Sequence, residues 1–418
     1  MAARRFGTPA YVTDVATLET ACADVRAAFP DPWLRHFSVK ANDVPGVIGL
    51  VAERGFGANV VSRGEWAAAR AAGLPNARIT FEGIGKTAAD LRAAVRASAT
   101  GEPLRWLALE SPDEATALAS IALASAVDPL GARQPLDVLL RLNPSVAAET
   151  HRGLAVGTAA SKFGMTAAEI QMAIDALASV AGAAGPIRLR GIHLHVGSQL
   201  GAVDAWRDGV RRALAVFALL AGANDDFDTL DVGGGFPVAP LGEPSPSPAR
   251  FAAELPALLD ATPADRRPKR LAIEPGRALV ARAGFLLARV LHVRDRGARQ
   301  VILDAGMTEL IRPALYGAIH PIAALTTLGR PIEAAAMVDE TSPAAVEGPI
   351  CESTDSLGEH VLPPLRRGDL VAIADAGAYA ASLSSTYNGR PRPPQVVLHA
   401  GGRLELVRRR GRSRSLAS

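Results

Sequence analysis

The chain has 418 residues, of which 49% are hydrophobic, and its 45 basic side chains nearly balance its 42 acidic ones, giving a formal net charge of +3. This length and composition exclude an intrinsically disordered chain and a broadly basic surface for nucleic acid, and they predict more than one domain. No run of 18 apolar residues and no signal-peptide pattern occurs, so we expect a cytoplasmic protein that neither enters a membrane nor binds nucleic acid.

Only one dense basic run occurs, RRRGRSRS over residues 408–415, and we interpret it as a solvated end of the chain. The two cysteines, Cys22 and Cys351, have neither metal-ligand spacing nor a disulfide framework, which is typical of a reducing compartment. Only four of the basic residues are lysines, so each primary amine is a candidate for a specific role.

Eight short apolar runs alternate with Ala-rich amphipathic stretches between residues 34 and 277: LRHFSVK, GANVV, ARITF, LRWLALE, LDVLLRL, LRGIHLHV, TLDVGGG and RLAIEPGR. This alternation predicts an α/β fold, a (β/α)8 TIM-like barrel over residues 16–282. After the seventh run, VAPLGEPSPSPAR contains too much proline to begin a helix and predicts an extended loop. Active sites of such barrels lie at the C-terminal ends of the strands.

Beyond residue 282 the pattern changes to closely spaced β-like runs: FLLARVLHVRD, RQVILDAG, AAVEGPICES, DLVAIADAG and PQVVLHAGGRLELV. They predict a C-terminal all-β domain over residues 283–418. The opening segment FGTPAYVTD is also strand-like, so we expect residues 1–15 to pair with this domain.

Lys40 ends the first barrel strand, where partial burial can free an amine from its proton so that it forms a Schiff base; a surface lysine is the alternative. His193 and His195 are two residues apart on one strand and therefore face the same side. Such a pair can bind a metal ion, or it can form a flat platform beside a cofactor ring. No carboxylate and no further histidine completes a metal site at the other strand ends, so we predict no metal.

Ser198 and the glycines 233–235 follow strands six and seven, where barrels often hold a phosphate, although a glycine run also marks a tight turn. At the end of strand eight, EPGR offers Glu274 for a protonated ring nitrogen and Arg277 for an anion, unless the two form a structural pair. A lysine, phosphate donors, a ring platform and a buried carboxylate together predict a pyridoxal 5'-phosphate site.

The second domain adds candidates for substrate binding and proton transfer. Arg312 can bind a substrate carboxylate, Glu352 a substrate ammonium group, and the thiol of Cys351 can donate a proton, unless it is merely a buried cysteine. Further candidates are Tyr316, Asp355 and Tyr379.

In these motifs the chain resembles the fold-type III pyridoxal-phosphate decarboxylases, and most closely their diaminopimelate-specific branch. The resemblance covers nearly the whole chain through FSVKAN, RLNPSVAAETHRGLAVGTAASKFGM, GIHLHVGSQ, LDVGGGF, EPGRALVARAG, ILDAGMTELIRPALYGAIH, GPICESTD and YNGRPRP. Several ordered motifs at compatible spacing are more specific than any one of them.

The resemblance implies a role for each candidate residue. Lys40 corresponds to the Schiff-base lysine, His195 to the ring-stacking histidine and Glu274 to the partner of the ring nitrogen. Cys351 corresponds to the residue that reprotonates the product, and in this family Cys351 and Glu352 reach the site from a partner subunit, which implies a homodimer with shared active sites. The other implied cofactor contacts are Ser198, Gly233, Gly234, Gly235, Pro275, Gly276, Arg277 and Tyr379, and the implied substrate contacts are Arg277, Arg312, Tyr316, Glu352, Asp355 and Tyr379.

The resemblance implies conversion of an amino-acid substrate, meso-2,6-diaminopimelate, to L-lysine and CO2. Thr354 stands where the family's CESGD pattern usually has glycine, which leaves open which distal group is accepted. Alternatives are a related decarboxylase acting on ornithine, arginine or a specialised-metabolite amino acid, and a non-catalytic homologue that retains only the dimer surface.

Overall fold

A computed structural model describes residues 1–125, 134–147, 149–151, 154, 157–158, 161–182, 185–239, 244–332 and 342–412. The last part of the basic run, residues 413–415, lies outside the described residues. None of the described helices combines the length and apolar character needed to cross a membrane.

The chain begins with helix α1 (Ala2–Phe6) and strand β1 (Ala10–Asp14) and then forms a closed barrel of eight parallel strands. All eight apolar runs become barrel strands, which confirms the predicted fold class. Their side chains are almost entirely buried because the barrel interior and the surrounding helices cover both faces of the sheet. The strands are β2 (Leu34–Ser38), β3 (Gly57–Val60), β4 (Ile79–Phe81), β5 (Trp106–Leu109), β6 (Leu136–Leu142), β7 (Ile187–Leu194), β8 (Thr229–Asp231) and β9 (Arg270–Ile273).

Helices follow the strands and cover the outside of the barrel. Several begin where a side chain caps the first free N–H groups: Thr87 and Thr166 each form a capping box with the acidic residue three positions later. The helices are α2 (Val15–Ala28), α3 (Pro45–Glu53), α4 (Arg63–Ala71), α5 (Ala88–Ala99), α6 (Pro112–Ser125), α7 (Ala167–Leu177), α8 (Asp204–Ala221), α9 (Pro248–Ala252), α10 (Leu255–Asp260) and α11 (Arg277–Val280).

The proline-rich segment after β8 is not extended throughout, so that part of the prediction is wrong. Helix α9 begins at Pro248, directly after Ser247 as its N-cap residue. Proline is well suited to the first helical position because its fixed φ is helical and its missing N–H would have no partner there. Residues 240–243 of the segment lie outside the described residues.

The second part of the structure is a nine-stranded, mostly antiparallel sheet. Strand β1 lies within it, antiparallel to β10 and parallel to β16, which confirms that the opening segment pairs with the C-terminal strands. The short helix α12 (Arg312–Tyr316) interrupts the otherwise all-β pattern. The strands are β10 (Gly284–Asp295), β11 (Arg299–Leu303), β12 (Ile322–Leu325), β13 (Ser342–Glu347), β14 (Ser356–Leu362), β15 (Leu370–Ile373), β16 (Gln395–Leu398) and β17 (Leu404–Arg408).

Two glycines allow the barrel and the sheet to meet closely. A Cβ atom on Gly377 would lie 1.7 Å from the carbonyl oxygen of Val280, and one on Gly284 would lie 2.2 Å from the Cα of Gly377. Only glycine fits at this crossing, which carries the chain from α11 into β10. The division of the chain into domains at residue 282 stays a prediction.

We expect Gly191→Ala to destabilise the barrel. Gly191 lies on β7 opposite Thr229 on β8, and an added Cβ would stand 1.6 Å from the Thr229 carbonyl oxygen. Because that neighbour is backbone within a sheet, the strands must separate, so we expect a loss of about 3 kcal/mol or more in the free energy of unfolding, measured by urea denaturation. Gly64→Ala is the matched control: it lies on the exposed side of α4, where the nearest atom is 3.6 Å away, and we expect a change within about 1 kcal/mol. Equal stability of the two variants would contradict the role of close strand approach.

Candidate active site

A cavity of about 360 Å³ opens at the C-terminal ends of the barrel strands, where the barrel meets the sheet. It brings together eight of the residues predicted from the sequence: Lys40, His195, Ser198, Glu274, Arg277, Arg312, Tyr316 and Tyr379. A neighbouring cavity of about 270 Å³ shares Leu154, Arg277, Arg312 and Tyr316 with it. Lys40, His195, Ser198, Glu274 and Arg277 were selected by the strand-end rule, and the other three come from the second domain.

Lys40 lies in a single helical turn, Val39–Ala41, directly after β2. The sheet part of the chain holds this turn: Tyr379 donates its N–H to the Ala41 carbonyl at 2.7 Å, and the Ser382 hydroxyl donates to the Lys40 carbonyl at 2.9 Å. Among the described residues, the Lys40 ammonium has no carboxylate within 4.0 Å and no side-chain hydrogen bond. The backbone of Lys40 is thus fixed by hydrogen bonds, while its amine has no such partner among the described residues.

His193 and His195 both reach the cavity, as their two-residue spacing predicts. His195 Nδ1 accepts a hydrogen bond from the Gly234 N–H at 3.2 Å, which leaves the proton of the neutral ring on Nε2. Burial, assisted by Lys40 and Arg141, lowers the pKa of His195 well below its ordinary value. Burial also lowers the pKa of His193 to about 4, so both rings are neutral at pH 7.

The three glycines after β8 form a close-packed cradle. Added Cβ atoms would stand 2.4 Å from the Leu194 carbonyl oxygen at Gly233, 2.2 Å from that of Glu274 at Gly234 and 2.5 Å from that of Gly197 at Gly235. Gly233 and Gly235 also have positive φ values of 70° and 99°. Only glycine fits here, and the N–H groups of Gly233 and Gly234 donate to Asp231 and His195, so the run holds the strand ends beside His195 closely together.

Glu274 follows β9 and is buried at the floor of the cavity. Its Oε1 accepts a hydrogen bond from the Asn59 amide at 2.5 Å, and its backbone carbonyl accepts one from the Ser38 hydroxyl at 3.1 Å. The next residues, Pro275 and Gly276, lead into α11, and a Cβ on Gly276 would stand 3.1 Å from that of Ser38. Glu274 is thus fixed toward the cavity, and it forms no pair with Arg277.

Two further carboxylates surround Glu274. Burial and the charge of Glu274 raise the pKa of Glu82 to about 8, and burial raises the pKa of Asp231 well above its ordinary value. His193 Nε2 lies 3.3 Å from Glu82 Oε2 and 3.5 Å from Glu274 Oε1. Glu82, His193 and Glu274 each offer one atom that could bind a metal ion, and these atoms lie within 4.8 Å of one another. The prediction of no metal site from the strand ends did not take this cluster into account.

Arg277 and Arg312 form the positively charged side of the cavity. Arg277 donates to the Ser198 hydroxyl at 3.2 Å and stacks 4.8 Å above the ring of Tyr379, while Arg312 bonds His320 Nε2 at 3.0 Å. Burial and the nearby Arg277 lower the pKa of Arg312 to about 10. Neither guanidinium pairs with a carboxylate in the part of the chain that the structure describes. Two adjacent arginines without counter-ions form a ready anion site.

Cys351 and Glu352 do not line the cavity of their own chain and are exposed on its surface. Glu352 accepts a hydrogen bond from the Tyr387 hydroxyl at 2.5 Å and one from Thr354 at 3.4 Å. Asp355 is buried, and its carboxylate accepts backbone hydrogen bonds from Met307 at 2.5 Å and Ile350 at 2.6 Å. The CESTD segment is therefore held to the sheet by Asp355, with its first two side chains turned outward.

Four further residues in and around the cavity were not predicted from the sequence: Asn59, Glu82, Asp231 and Arg141. Glu82 follows β4 directly and Asp231 ends β8, so the rule that selected Lys40 would have selected both. Asn59 lies inside β3, and no feature of GANVV distinguishes it from a core position. Arg141 lies inside β6, and its pairing with Glu110 at 2.5 Å could not be read from the sequence.

Residues 15–281 match the family model for the pyridoxal-binding domain of pyridoxal-dependent decarboxylases. A diaminopimelate decarboxylase from Aquifex aeolicus is 34% identical over 98% of this chain and 90% of its own length, and one from Actinosynnema pretiosum is 37% identical over 97% and 87%. The crystal structure of diaminopimelate decarboxylase from Helicobacter pylori complexed with L-lysine superposes with a TM-score of 0.86, at 29% identity over 99% of this chain and 96% of that one. These matches confirm the resemblance predicted from the motifs. The chain belongs to the family of pyridoxal-dependent decarboxylases.

Proposed function

We propose that this protein converts meso-2,6-diaminopimelate to L-lysine and CO2 with pyridoxal 5'-phosphate as its cofactor. The observation that carries the proposal is a single cavity with an uncommitted lysine, a buried carboxylate at its floor and two arginines without counter-ions. The similarity to diaminopimelate decarboxylases over nearly the full length of the chain supports the same substrate.

The residues around the cavity fit the cofactor. Ser198 and Arg277 place a hydroxyl and a guanidinium in the cavity, close to the glycine run that carries no side chains, and Glu274 offers a carboxylate with no cationic side chain beside it. These features suit a phosphate and a protonated ring nitrogen, respectively. The residues that would hold the cofactor are Lys40, His195, Ser198, Gly233, Gly234, Gly235, Glu274, Pro275, Gly276, Arg277 and Tyr379.

Pyridoxal phosphate, when bound, supplies an electron-withdrawing ring that accepts the electrons of the bond between Cα and the departing carboxylate. Lys40 would supply the primary amine that holds the cofactor covalently. Glu274 would keep the proton on the ring nitrogen, because a buried carboxylate needs a cationic partner. His195, neutral and oriented by Gly234, would offer a flat face to the ring without adding charge. Each group thereby favours withdrawal of electrons from Cα.

The paired arginines select the substrate. Arg277 and Arg312, together with Tyr316, can bind a second carboxylate, which meso-diaminopimelate carries at its distal end. Ornithine and arginine carry only a cationic group there, and two desolvated guanidinium groups would repel it. The charge of the cavity therefore favours diaminopimelate over the alternative substrates.

Cys351 and Glu352 belong, in our proposal, to the active site of a partner subunit in a homodimer. Both are exposed on their own chain, and none of the described residues that line the cavity is a cysteine. Cys351 Sγ would deliver that proton, and Glu352, fixed by Tyr387, would bind the distal ammonium group. Asp355, predicted to bind substrate, would act by holding this segment in place, since its carboxylate is already occupied.

We place the enzyme in the cytoplasm, as its two free thiols suggest.

The substrate assignment predicts a defined effect of Arg312→Met, which keeps the aliphatic stem of the side chain but removes the charge. We expect kcat/KM for meso-diaminopimelate to fall about 10- to 100-fold, because a charge-assisted hydrogen bond of about 1.5–3 kcal/mol is lost. CO2 release and lysine formation are measured, with L-ornithine, L-lysine and L-arginine as competing substrates. Arg330→Met on the exposed surface is the matched control, and Lys40→Ala sets the inactive baseline. Equal turnover of ornithine by the wild type, or no effect of Arg312→Met, would refute the assignment.

The shared site predicts complementation between two inactive variants. Lys40→Ala and Cys351→Ala homodimers should each have little activity, whereas subunits mixed and allowed to exchange should recover it. A two-fold symmetric dimer then contains one intact site per heterodimer, so activity should approach about a quarter of the wild-type value at equal mixing. Absence of recovery, with heterodimers confirmed by native mass spectrometry, would show that each site uses one chain only.

A further inference from the structure

Three carboxylates meet below the cavity without a cationic partner. Glu82, Asp231 and Glu274 follow or end three different barrel strands and are 4%, 0% and 3% exposed. In the described part of the chain, none of them pairs with a lysine or an arginine, and the only basic group within 4.0 Å is His193. Arg141, the arginine that lies toward His193, is already paired with Glu110. The cluster therefore contains more acid than nearby positive charge can balance.

This imbalance requires bound protons. An ionised carboxylate buried without a partner is far less stable than its neutral form. A protonated ring nitrogen brings one positive charge, which balances one carboxylate of the three. Two protons must then reside on the cluster, and burial disfavours placing either on the ring of His193.

The hydrogen bonds indicate which carboxylate is charged. Glu274 Oε1 accepts from the Asn59 amide at 2.5 Å, and neither of its oxygens is buried without a donor. Asp231 Oδ1 accepts from the Gly233 N–H at 2.9 Å, but its Oδ2 has no donor. Glu82 Oε1 has no donor either, and its Oε2 faces a neutral ring nitrogen of His193 at 3.3 Å. Glu82 and Asp231 thus each have an oxygen free to carry a proton.

We propose that Glu82 is a positioning residue that carries a proton at neutral pH, so that Glu274 holds the negative charge facing the ring of the cofactor. Unlike Asp231, Glu82 lines the cavity itself, and its side chain interacts with both His193 and Glu274. As a neutral acid it can donate a hydrogen bond to Glu274, whose Oε1 also accepts from the Asn59 amide. The groups that face it are Glu274, His193 and Asn59, with Asp231 and Arg141 beyond them. This inference rests on the proposed binding of pyridoxal phosphate in the cavity.

The first test locates the proton by infrared spectroscopy of the full chain, with and without cofactor, labelled with 13C-carboxyl glutamate so that Asp231 does not contribute. We expect a carboxylic-acid carbonyl band at pH 7 that is lost in Glu82→Gln and, without cofactor, declines as the pH rises through about 8. Glu110→Gln is the matched control: although burial opposes it, Arg141 and Lys86 hold the pKa of Glu110 below its ordinary value, so this variant should keep the band.

The second test uses the pH dependence of stability in the cofactor-free full chain. Because the pKa of Glu82 is higher in the folded chain than its ordinary value of 4.5, the stability that its neutral form provides is full below pH 4.5 and declines up to about pH 8. Glutamine is neutral at every pH. The Tm of the wild type should therefore fall relative to that of Glu82→Gln between pH 5 and pH 8, and parallel curves would contradict the proposal.

The third test measures the dissociation constant of pyridoxal phosphate. We expect Glu82→Gln to bind within about threefold of the wild type and Glu82→Ala at least about tenfold more weakly, because alanine removes the neutral hydrogen-bonding group that orients Glu274.

Three results would each overturn the proposal: equal affinity of the two variants for the cofactor, no glutamic-acid band in the wild type, or a band that changes when a chelator removes a stoichiometric metal ion. Decarboxylation of meso-diaminopimelate is assayed on the same samples. A glutamic-acid band in a protein that does not decarboxylate meso-diaminopimelate would contradict only the proposed function. Decarboxylation by a protein without that band would contradict only this inference.

Discussion

The position of Lys40 depends on hydrogen bonds that join the barrel to the sheet. Three of them tie residues 377–382 to the turn after β2: the Tyr379 N–H to the Ala41 carbonyl, the Ser382 hydroxyl to the Lys40 carbonyl and the Asn42 amide to the Gly377 carbonyl at 3.0 Å. Tyr379 adopts a positive φ of 57° to make its bond, a conformation that a non-glycine residue keeps only when its surroundings hold it. The same loop that fixes Lys40 thus also places the Tyr379 ring below Arg277.

This junction explains why the charges of the cavity are separated. The floor is made by ends of barrel strands and carries the carboxyl groups of Glu274 and Glu82, with Asp231 buried close to them. The side toward the sheet is basic, because α11 and α12 bring Arg277 and Arg312 together beneath the sheet loops. A bound molecule is therefore oriented by its own charges, with its cationic ring toward the floor and its anionic groups toward the arginines. Neither part of the chain makes this gradient alone.

The barrel and the residues at its strand ends could be predicted from sequence because both depend on local pattern. An apolar run followed by a polar residue identifies a strand end whatever the rest of the fold, and Lys40, His195 and Glu274 all follow that rule. The helix that begins at Pro248 was not predicted, because a proline ends a helix when it lies in the interior but suits the first helical position. Asn59 and Arg141 were not predicted because they lie inside strands, where the role of a polar side chain depends on its hydrogen-bond partners on other strands. The outward orientation of Cys351 depends on Asp355, which binds backbone groups of Met307 and Ile350, one of them distant in sequence.

The scarcity of lysine gives the site chemical selectivity. A carbonyl group in the cavity can react with any unprotonated primary amine within reach, so competing lysines would divert it. Lys86 follows the cavity-lining residues 83–85, yet its side chain is fully buried, pairs with Glu114 at 3.0 Å and donates to the Gly83 carbonyl. Lys162 stacks 5.2 Å from the ring of Phe163. Among the described residues Lys40 is the lysine that lines the cavity, and it is free of such contacts. Arginine supplies the other positive charges of the site, and because a guanidinium stays protonated it binds anions without competing as a nucleophile.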